Sequence, residues 1–333
     1  AFDLSEAGLS ENQGSKDSFV SQLQVKQLSM KYANAQVLDA IDFSLSSGEI
    51  VCLVGESGSG KSTILHSIMG TLPGYAQVTA GSIELDGVDL TKAGKKELRS
   101  LRGEKISMIF QSSSIALCPV VKVRKHFKDM LKAHGAYDKS TFEKAVLDMF
   151  AKLGLKDGER ILNAYPFELS GGMAQRVGIA LACLLHPAFL LADEPTSALD
   201  VTTQKQVINE IKRMRDEFGV GVLLVTHSMG IVSHMADNVG VCYAGQLVEF
   251  GPLESVLSHP LHPYTKMLLQ ATPQINGDAP KGMEGRPPQF GDHMQGCRFR
   301  DRCPYAQDSC IQSLLRKGDN EHWSLCDKGG VLC

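Results

Sequence analysis

Several features that would place this chain in a familiar class are missing from its sequence. No apolar run reaches the ~20 residues that a membrane-spanning helix needs; the longest, at residues 177–192, is interrupted by His186 and Pro187. Residues 1–18 lack the basic start and apolar core of a secretory signal. The formal net charge is -3 and basic residues form no run or stripe, which argues against a nucleic-acid partner.

The length and composition are those of an ordinary globular protein. The chain has 333 residues, 43% hydrophobic and 21% charged, enough for one large domain with an appendage or for two domains. We expect residues 1–18 to form a polar, disordered leader, and residues 19–255 to form the main domain. After about residue 255 the sequence turns to Pro, Gly, His and Cys with little periodicity. This change predicts a small C-terminal appendage over residues 256–333, with a regulatory or metal-binding role.

Apolar runs alternate with helical patterns along the main domain. Residues 49–55, 188–194 and 219–227 have the continuous apolar character of parallel strands buried on both faces. Residues 202–219 carry apolar side chains at helical spacing, and the segment at about 112–180 is also helical in pattern. The alternation predicts an α/β fold with a mostly parallel sheet.

A phosphate-binding loop is predicted between the first of these strands and the helix after it. Residues 55–62, GESGSGKS, match G-x-x-x-x-G-K-S/T in full. Glycines let the backbone N–H groups curl around phosphate oxygens, and the following helix adds its positive N-terminus. A plain Gly/Ser-rich turn is the weaker interpretation, because strand, loop and helix occur in the required order. The predicted nucleotide-binding residues of this segment are Gly55, Ser57, Gly58, Gly60, Lys61, Ser62 and Thr63.

Two acidic residues end a second apolar strand. Asp193 and Glu194 follow Leu190, Leu191 and Ala192. Such a pair is usually a solvated strand end, but beside a phosphate loop it has a chemical role. We expect Lys61 to reach the β- and γ-phosphates, and Ser62 and Asp193 to hold Mg²⁺. Glu194 is predicted to be the catalytic base that polarises the attacking water.

Residues 169–175, LSGGMAQ, resemble the LSGGQ signature of ABC ATPases, with Met-Ala inserted before the Gln. Ser170, Gly171 and Gly172 open a helix and so make a second anion-binding element. In isolation this pattern would be an ordinary helix N-cap. Between a phosphate loop and an acidic strand end it indicates the ABC family, and the resemblance covers about residues 20–255. It implies a P-loop NTPase core of the ABC type, with an antiparallel β subdomain and a helical subdomain at about 112–180.

The resemblance also implies roles for residues whose local patterns are weak by themselves. Gln111 corresponds to the Q-loop glutamine, a catalytic residue and Mg²⁺ ligand, and His227 to the switch histidine, also catalytic. Residues 197–200, SALD, match the D-loop. The nucleotide-binding residues that rest on the resemblance are Tyr32 (stacked on adenine), Ser170, Gly171, Gly172, Gln175 and Asp200.

Partners follow from the same resemblance. ABC ATPases dimerise head to tail, so that each ATP is held by one phosphate loop and the signature of the partner. The second subunit could be identical or related. We therefore expect a second ATPase subunit, two transmembrane permease subunits and an external substrate-binding protein. The expected location is peripheral, on the cytoplasmic face of the inner membrane.

The C-terminal segment resembles the tail of one importer branch. Residues 258–265, SHPLHPYT, are similar to the tail of peptide/nickel importer ATPases, those of oligopeptide and dipeptide permeases. The resemblance implies peptide import, with nickel, metal-chelate or other small-solute import as the alternative. His259 and His262 could be metal ligands, but histidines in Pro-flanked loops are more often structural, and we favour that interpretation.

Cysteines crowd the end of the chain. Cys297, Cys303, Cys310 and Cys326 are spaced C-x5-C-x6-C-x15-C, and Cys333 is predicted to be a bystander. Four thiolates in a segment with little core of its own suit a metal site, and disulfides are disfavoured in a reducing compartment. Spacing alone leaves an iron–sulfur cluster and zinc both open, although no close C-x2–4-C pair of the usual zinc type occurs. The resemblance to the importer tail favours a 4Fe–4S cluster.

Two other classes are less consistent with the sequence. A DNA-repair ABC ATPase needs a long coiled-coil insertion and a translation-type one needs tandem ATPase units, whereas each motif occurs here once and no heptad run is present. A metal–sulfur redox or sensor protein with a regulatory ATPase part remains the alternative from a different class.

Overall fold

The computed structural model describes residues 20–111, 116–197, 199–272, 282–290, 295–312 and 314–326. The predicted leader and Cys333 lie outside the described residues. Ala198 of the SALD segment also lies outside them.

The strands and helices follow the predicted alternation in the main domain. The strands are β1 (Gln22–Tyr32), β2 (Ala35–Ser46), β3 (Ile50–Val54), β4 (Ala76–Leu85), β5 (Val88–Asp89), β6 (Ile106–Ile109), β7 (Phe189–Asp193), β8 (Gly221–Thr226), β9 (Asn238–Tyr243), β10 (Gln246–Pro252), β11 (Lys317–Gly318) and β12 (Trp323–Ser324). The α-helices are α1 (Lys61–Met69), α2 (Lys95–Leu101), α3 (Val123–Ala133), α4 (Phe142–Lys152), α5 (Gly158–Asn163), α6 (Gly171–Cys183), α7 (Val201–Phe218), α8 (Met229–Met235), α9 (Leu253–Ser258) and α10 (Pro263–Gln270). Short 3-10 helices occur at Pro166–Glu168, Arg300–Arg302 and Asp308–Ile311.

The described chain divides into two compact units. We call residues 22–94 and 221–333 the P-loop unit, and residues 20–21 and 95–220 the signature unit. None of the helices in the described part is long and apolar enough to cross a membrane.

The P-loop unit contains an antiparallel sheet and a mixed sheet. The antiparallel sheet has the order β2-β1-β4-β5. In the mixed sheet, β3 lies between β8 and β9 and is parallel to both, while β9, β10, β12 and β11 follow one another in antiparallel pairs. Every residue of β3 and β8 is buried, which is why these strands have continuous apolar sequences instead of alternating ones.

The C-terminal residues do not separate from this unit. The described part of residues 256–333 belongs to the P-loop unit. Strand β12 continues the mixed sheet by pairing Trp323 with Phe250 and Ser324 with Glu249 of β10. The predicted appendage is therefore not confirmed as a separate body, because main-chain pairing attaches β12 to the mixed sheet of the P-loop unit.

The signature unit contains the predicted helices and two parallel strands. Strands β6 and β7 pair in parallel, and α3 to α6 fall within or overlap the predicted helical segment. Phe127 of α3 and Phe150 of α4 are fully buried and meet edge to face, with ring centroids 5.5 Å apart. Burial of such a side chain contributes roughly 1.5–3 kcal/mol, so this contact helps to hold α3 and α4 together.

Gly245 is expected to be a position where even alanine is poorly tolerated. It lies in the two-residue turn between β9 and β10 with φ 84°, and a Cβ there would come 2.1 Å from the Val37 carbonyl oxygen. Gly87, in the turn between β4 and β5, has φ 85° but open space around it. Gly87→Ala should cost roughly 1–2 kcal/mol of folding free energy from backbone strain alone. Gly245→Ala should cost at least about 2 kcal/mol more, because of the added clash.

Urea denaturation of the two variants measures this difference. Since the two glycines share a backbone conformation, the comparison separates steric crowding from left-handed strain. Equal losses of unfolding free energy in Gly87→Ala and Gly245→Ala would contradict the crowding at the β9–β10 turn.

Candidate functional site

The predicted phosphate loop connects β3 to α1. Strand β3 ends at Val54, α1 begins at Lys61, and Gly55 and Gly60 both have positive φ, 156° and 97°. A Cβ at Gly55 would lie 2.1 Å from the Cys242 carbonyl oxygen, so only glycine allows the loop to approach β9. Gly60 is the N-cap of α1 and has no side chain with which to cap the first N–H groups of the helix. The loop and helix N-terminus thus have the form that binds phosphate.

Lys61 lies inside this loop. Its side chain is buried, and its ammonium donates hydrogen bonds to the carbonyls of Gly55 and Glu56, each at 2.9 Å, and to Ser59 Oγ at 3.4 Å. A buried ammonium must be matched by acceptors. The loop therefore concentrates positive charge where phosphate oxygens would bind.

Other predicted residues of the P-loop unit lie close to this loop. Strand β3 pairs with β8 in parallel, with Val54 opposite Thr226, so the phosphate loop and His227 leave the same edge of the sheet. Tyr32, the last residue of β1, is half-buried, and its hydroxyl lies 3.5 Å from Thr63 Oγ1 on α1. The structure thus gathers the phosphate loop, Tyr32 and His227 of this unit in the arrangement that the motif order implied.

In the signature unit, Gln111, Asp193 and Glu194 share one sheet edge. Strands β6 and β7 pair in parallel, with Ile109 opposite Ala192. Gln111 follows the end of β6, and Asp193 and Glu194 stand at the end of β7. Glu194 has φ 42°, a left-handed conformation uncommon for residues with a side chain and often found at active sites.

The signature residues open helix α6. Ser170 is its N-cap, and its hydroxyl accepts a hydrogen bond from the Met173 N–H at 3.3 Å. Ser170 and Gly171 are both exposed. A Cβ at Gly172 would lie 2.8 Å from Thr203 Cγ2, so this glycine allows α6 to pack closely against α7.

Gln175 and Asp200 have surroundings that the sequence did not indicate. Gln175 is 4% exposed, and its Nε2 has no hydrogen-bond partner among the described residues. The Asp200 carboxylate is the N-cap of α7, accepting from the N–H groups of Thr202 and Thr203 and from the Thr203 hydroxyl. These hydrogen bonds, chiefly that from the Thr203 hydroxyl, lower the pKa of Asp200. Nucleotide contact by Gln175 and Asp200 stays a prediction.

The four predicted cysteine ligands line a single cavity of the P-loop unit. Cys297, Cys303, Cys310 and Cys326 surround a volume of about 220 Å³, together with Phe299 and other apolar groups. Burial, with a smaller contribution from the neighbouring thiols, raises the pKa of the Cys297 thiol to about 11. Among the described residues, however, no three His, Cys, Asp or Glu side chains form a group able to hold a metal ion. The described thiols therefore line one cavity without forming a group that could hold a single metal ion.

His262 lines the same cavity and is 1% exposed. Its Nδ1 accepts a hydrogen bond from the Tyr264 N–H at 3.1 Å, which caps α10 and gives His262 the structural role favoured from the sequence. Burial lowers its pKa to about 4, against the opposing effect of Glu249, so the ring is neutral at pH 7 and its proton is on Nε2. Nε2 has no hydrogen-bond partner within the described part of the chain. At the cysteine cavity, a buried donor thus has no acceptor among the residues that the structure describes.

Sequence reasoning missed two residues of the C-terminal segment that reach the phosphate loop. The Tyr264 hydroxyl accepts a hydrogen bond from the Glu56 N–H at 3.0 Å. The Arg302 guanidinium donates to both carboxylate oxygens of Glu56, at 2.7 and 2.9 Å. The HPYT segment did signal Tyr264, but nothing in the local sequence connects Arg302 to a residue 246 positions away.

Comparison with known proteins agrees with these features. The family model described as "ABC transporter" matches residues 38–197, and that described as "Oligopeptide/dipeptide transporter, C-terminal region" matches residues 248–310. The chain is 41% identical to the oligopeptide transport ATP-binding protein AppD of Bacillus subtilis over 82% of this chain and 84% of that protein. It is 38% identical to the dipeptide transport ATP-binding protein DppD of Escherichia coli over 92% and 98%.

A solved dimeric structure of a bacterial ABC transporter cassette is similar with a TM-score of 0.62 at 27% identity, covering 69% of this chain and 98% of that one. The motifs, the strand order within each unit and these relatives lead to one conclusion: the chain belongs to the ATP-binding proteins of ABC transporters, in the family that carries the oligopeptide/dipeptide transporter C-terminal region.

Proposed function

We propose that this chain binds and hydrolyses ATP to power a peptide importer whose membrane-spanning subunits are other chains. The observation that carries this function is the phosphate loop, with the Lys61 ammonium held inside it and the N-terminus of α1 at its end. Peptide as the transported solute is supported by the relatives named above. Import of a nickel or metal chelate or of another small solute is the alternative.

Each residue has a distinct part in the proposed reaction. Lys61 and the loop N–H groups bind the β- and γ-phosphates. Ser62 and Asp193 supply the oxygen ligands that Mg²⁺ prefers, with Gln111 as a further ligand. Glu194 polarises a water whose oxygen attacks the γ-phosphorus, while the bond to the ADP oxygen breaks and yields ADP and phosphate. His227, which follows the end of β8 next to β3, is the switch histidine with a further catalytic role.

The proposed assembly is a head-to-tail dimer of ATPase subunits on two permease subunits, fed by an external substrate-binding protein. Exposure of Ser170 and Gly171 at the start of α6 supports a signature that binds the partner's nucleotide. Such an assembly would place the chain peripherally on the cytoplasmic face of the inner membrane. Residues 256–333 would regulate it.

Lys61→Ala and Glu194→Gln should separate nucleotide binding from hydrolysis. Loss of the Lys61 ammonium should weaken Mg-ATP binding by at least about tenfold, since a charged hydrogen-bonding group is lost. Glu194→Gln should bind Mg-ATP like the parent chain but lower the turnover number by roughly 100-fold or more, because Gln cannot act as a base. Calorimetry gives the affinities and phosphate release from the assembled transporter gives turnover. Parental turnover in Glu194→Gln would exclude its role.

Ser170→Arg should block closure of the ATPase dimer without affecting the nucleotide already held by the phosphate loop. The bulky cation occupies the exposed N-terminus of α6, where the partner's γ-phosphate would lie. In a Glu194→Gln background, Mg-ATP should increase the size of the chain on gel filtration, alone or with its partner ATPase, and Ser170→Arg should abolish that increase. A dimer that forms equally well with Ser170→Arg would contradict the signature assignment.

We further propose that Cys297, Cys303, Cys310 and Cys326 hold an iron–sulfur cluster. A tetrahedral zinc site with Zn–S bonds of 2.3 Å would bring its sulfurs to about 3.8 Å from one another. The described thiols instead surround a cavity of about 220 Å³ without forming such a single-ion group. A 4Fe–4S cluster needs four thiolates set farther apart around a larger volume. The buried Nε2–H of His262 would find an acceptor in the sulfurs of such a group.

Iron and sulfide analysis after anaerobic purification tests the cluster. We expect about four iron atoms and four acid-labile sulfides per chain, lost in Cys303→Ser and retained in Cys118→Ser, which changes an exposed cysteine of the signature unit. One zinc per chain without sulfide would overturn the cluster, and the absence of any metal would overturn the site.

A further inference from the structure

Groups both inside and outside the phosphate loop hold its second residue, Glu56. The Glu56 N–H donates to the Tyr264 hydroxyl at 3.0 Å, and the Glu56 carbonyl accepts from the Lys61 ammonium at 2.9 Å. The Glu56 carboxylate accepts hydrogen bonds from both terminal nitrogens of Arg302. Every polar group of Glu56 is therefore engaged. Tyr264 and Arg302 come from the C-terminal segment and lie in the same unit as the loop.

Arg302 is fixed from several sides. Its side chain is 5% exposed, against 26% for the Glu56 side chain. Its Nη1 also donates to the Tyr243 hydroxyl at 3.2 Å, and its Nε donates to the Glu284 carbonyl at 3.0 Å. The guanidinium carbon lies 6.0 Å from the ring centre of Phe299. A guanidinium held this way presents a rigid, two-pronged contact to a carboxylate.

The same residues connect the loop to the cysteine cavity. Arg302 directly precedes Cys303, and Phe299 lines the cavity. The rings of Tyr243, Tyr264 and Phe299 pack on one another with centroids 4.6 to 5.3 Å apart. Movement of the 3-10 helix Arg300–Arg302 would therefore move the groups that hold Glu56.

We propose that Arg302, assisted by Tyr264, is a positioning residue for the phosphate loop and sets the affinity for Mg-ATP through Glu56. The inference rests on the proposed ATPase function and adds a residue of the C-terminal segment to it. Arg302 neutralises the Glu56 carboxylate and keeps it directed away from the loop interior, where the anionic phosphates bind.

The physical reason is electrostatic. Without Arg302, the Glu56 carboxylate remains next to the N–H groups that must receive phosphate, and like charges at such distances repel. The same carboxylate would also be free to accept hydrogen bonds from the loop. Removing both charges relieves the repulsion, so the double variant should bind ATP better than the variant that lacks Arg302 alone.

The experiment compares Arg302→Gln, Glu56→Gln and the double variant in the full chain, by calorimetric titration with Mg-ATP. We expect the dissociation constant to rise about tenfold in Arg302→Gln, about threefold in Glu56→Gln, and about threefold in the double variant. In the assembled transporter, Arg302→Gln should raise KM for ATP about tenfold and change kcat less than twofold, since the catalytic groups are untouched.

Arg298→Gln is the matched control. Its guanidinium is 8% exposed and also joins the C-terminal segment to the core, but it pairs with Asp39 and the Ala244 carbonyl instead of Glu56. The dissociation constant of the Arg298→Gln variant for Mg-ATP should stay within about twofold of the parent value. Glu56→Gln leaves Arg302 and the C-terminal segment unchanged, so it tests the contact even if Arg302→Gln fails to fold.

Distinct outcomes separate the two proposals. If the parent chain fails to bind Mg-ATP, the proposed function fails and the positioning role falls with it. If the parent binds but Arg302→Gln and Arg298→Gln bind equally well, only the positioning role is overturned. The positioning role would also be overturned if the double variant bound Mg-ATP more weakly than Arg302→Gln. Two independent defects would multiply their effects on the dissociation constant, whereas relief of the repulsion would restore binding.

Discussion

The buried ammonium of Lys61 is the constraint on which the rest of the site depends. A cation with almost no exposure must be surrounded by acceptors, and the loop supplies the carbonyls of Gly55 and Glu56 for this purpose. The loop can turn its carbonyls onto Lys61 only if its backbone takes positive φ at the glycines and lies against β9. The conformation that satisfies the lysine is also the one that directs N–H groups at an anion.

Parallel pairing extends this local arrangement to distant parts of the chain. In the P-loop unit, β3 and β8 end together, so Gly55 and His227 leave the sheet side by side although 171 residues separate them. In the signature unit, β6 and β7 do the same for Gln111 and Asp193. Since side chains at the carboxyl ends of parallel strands converge, each unit gathers its chemistry at one edge.

The described part of the C-terminal segment is joined to the rest of the P-loop unit by hydrogen bonds and an ion pair. Strand β12 extends the mixed sheet, Tyr264 hydrogen-bonds the loop backbone, and Arg302 pairs with a loop side chain. His262 links the two features, because it caps α10, which carries Tyr264, and lines the cysteine cavity. Within the HPYT motif, Tyr264 thus contacts the phosphate loop and His262 lines the cysteine cavity.

The sequence by itself determined the elements whose conformation depends on interactions between neighbouring residues. A glycine-rich loop between a buried strand and a helix, a Ser-Gly-Gly helix start and an acidic strand end are each specified by a few adjacent residues, so their positions and most of their roles could be predicted. The helical character of the segment that contains α4 and the span of α7 followed from sequence pattern in the same way. The resemblance to a family then supplied Tyr32, Gln111 and His227, whose local patterns are too short to be specific.

Only the tertiary structure decided which distant residues meet. The pairing of Arg302 with Glu56, the attachment of β12 to β10 and the burial of Gln175 depend on strand register and on the packing of segments far apart in the chain. A charge pattern cannot reveal such partners, because an arginine in a loop has the same local sequence whether it faces water or a carboxylate. The sequence therefore named the groups predicted to do the chemistry, while three-dimensional packing decided which groups hold them in place.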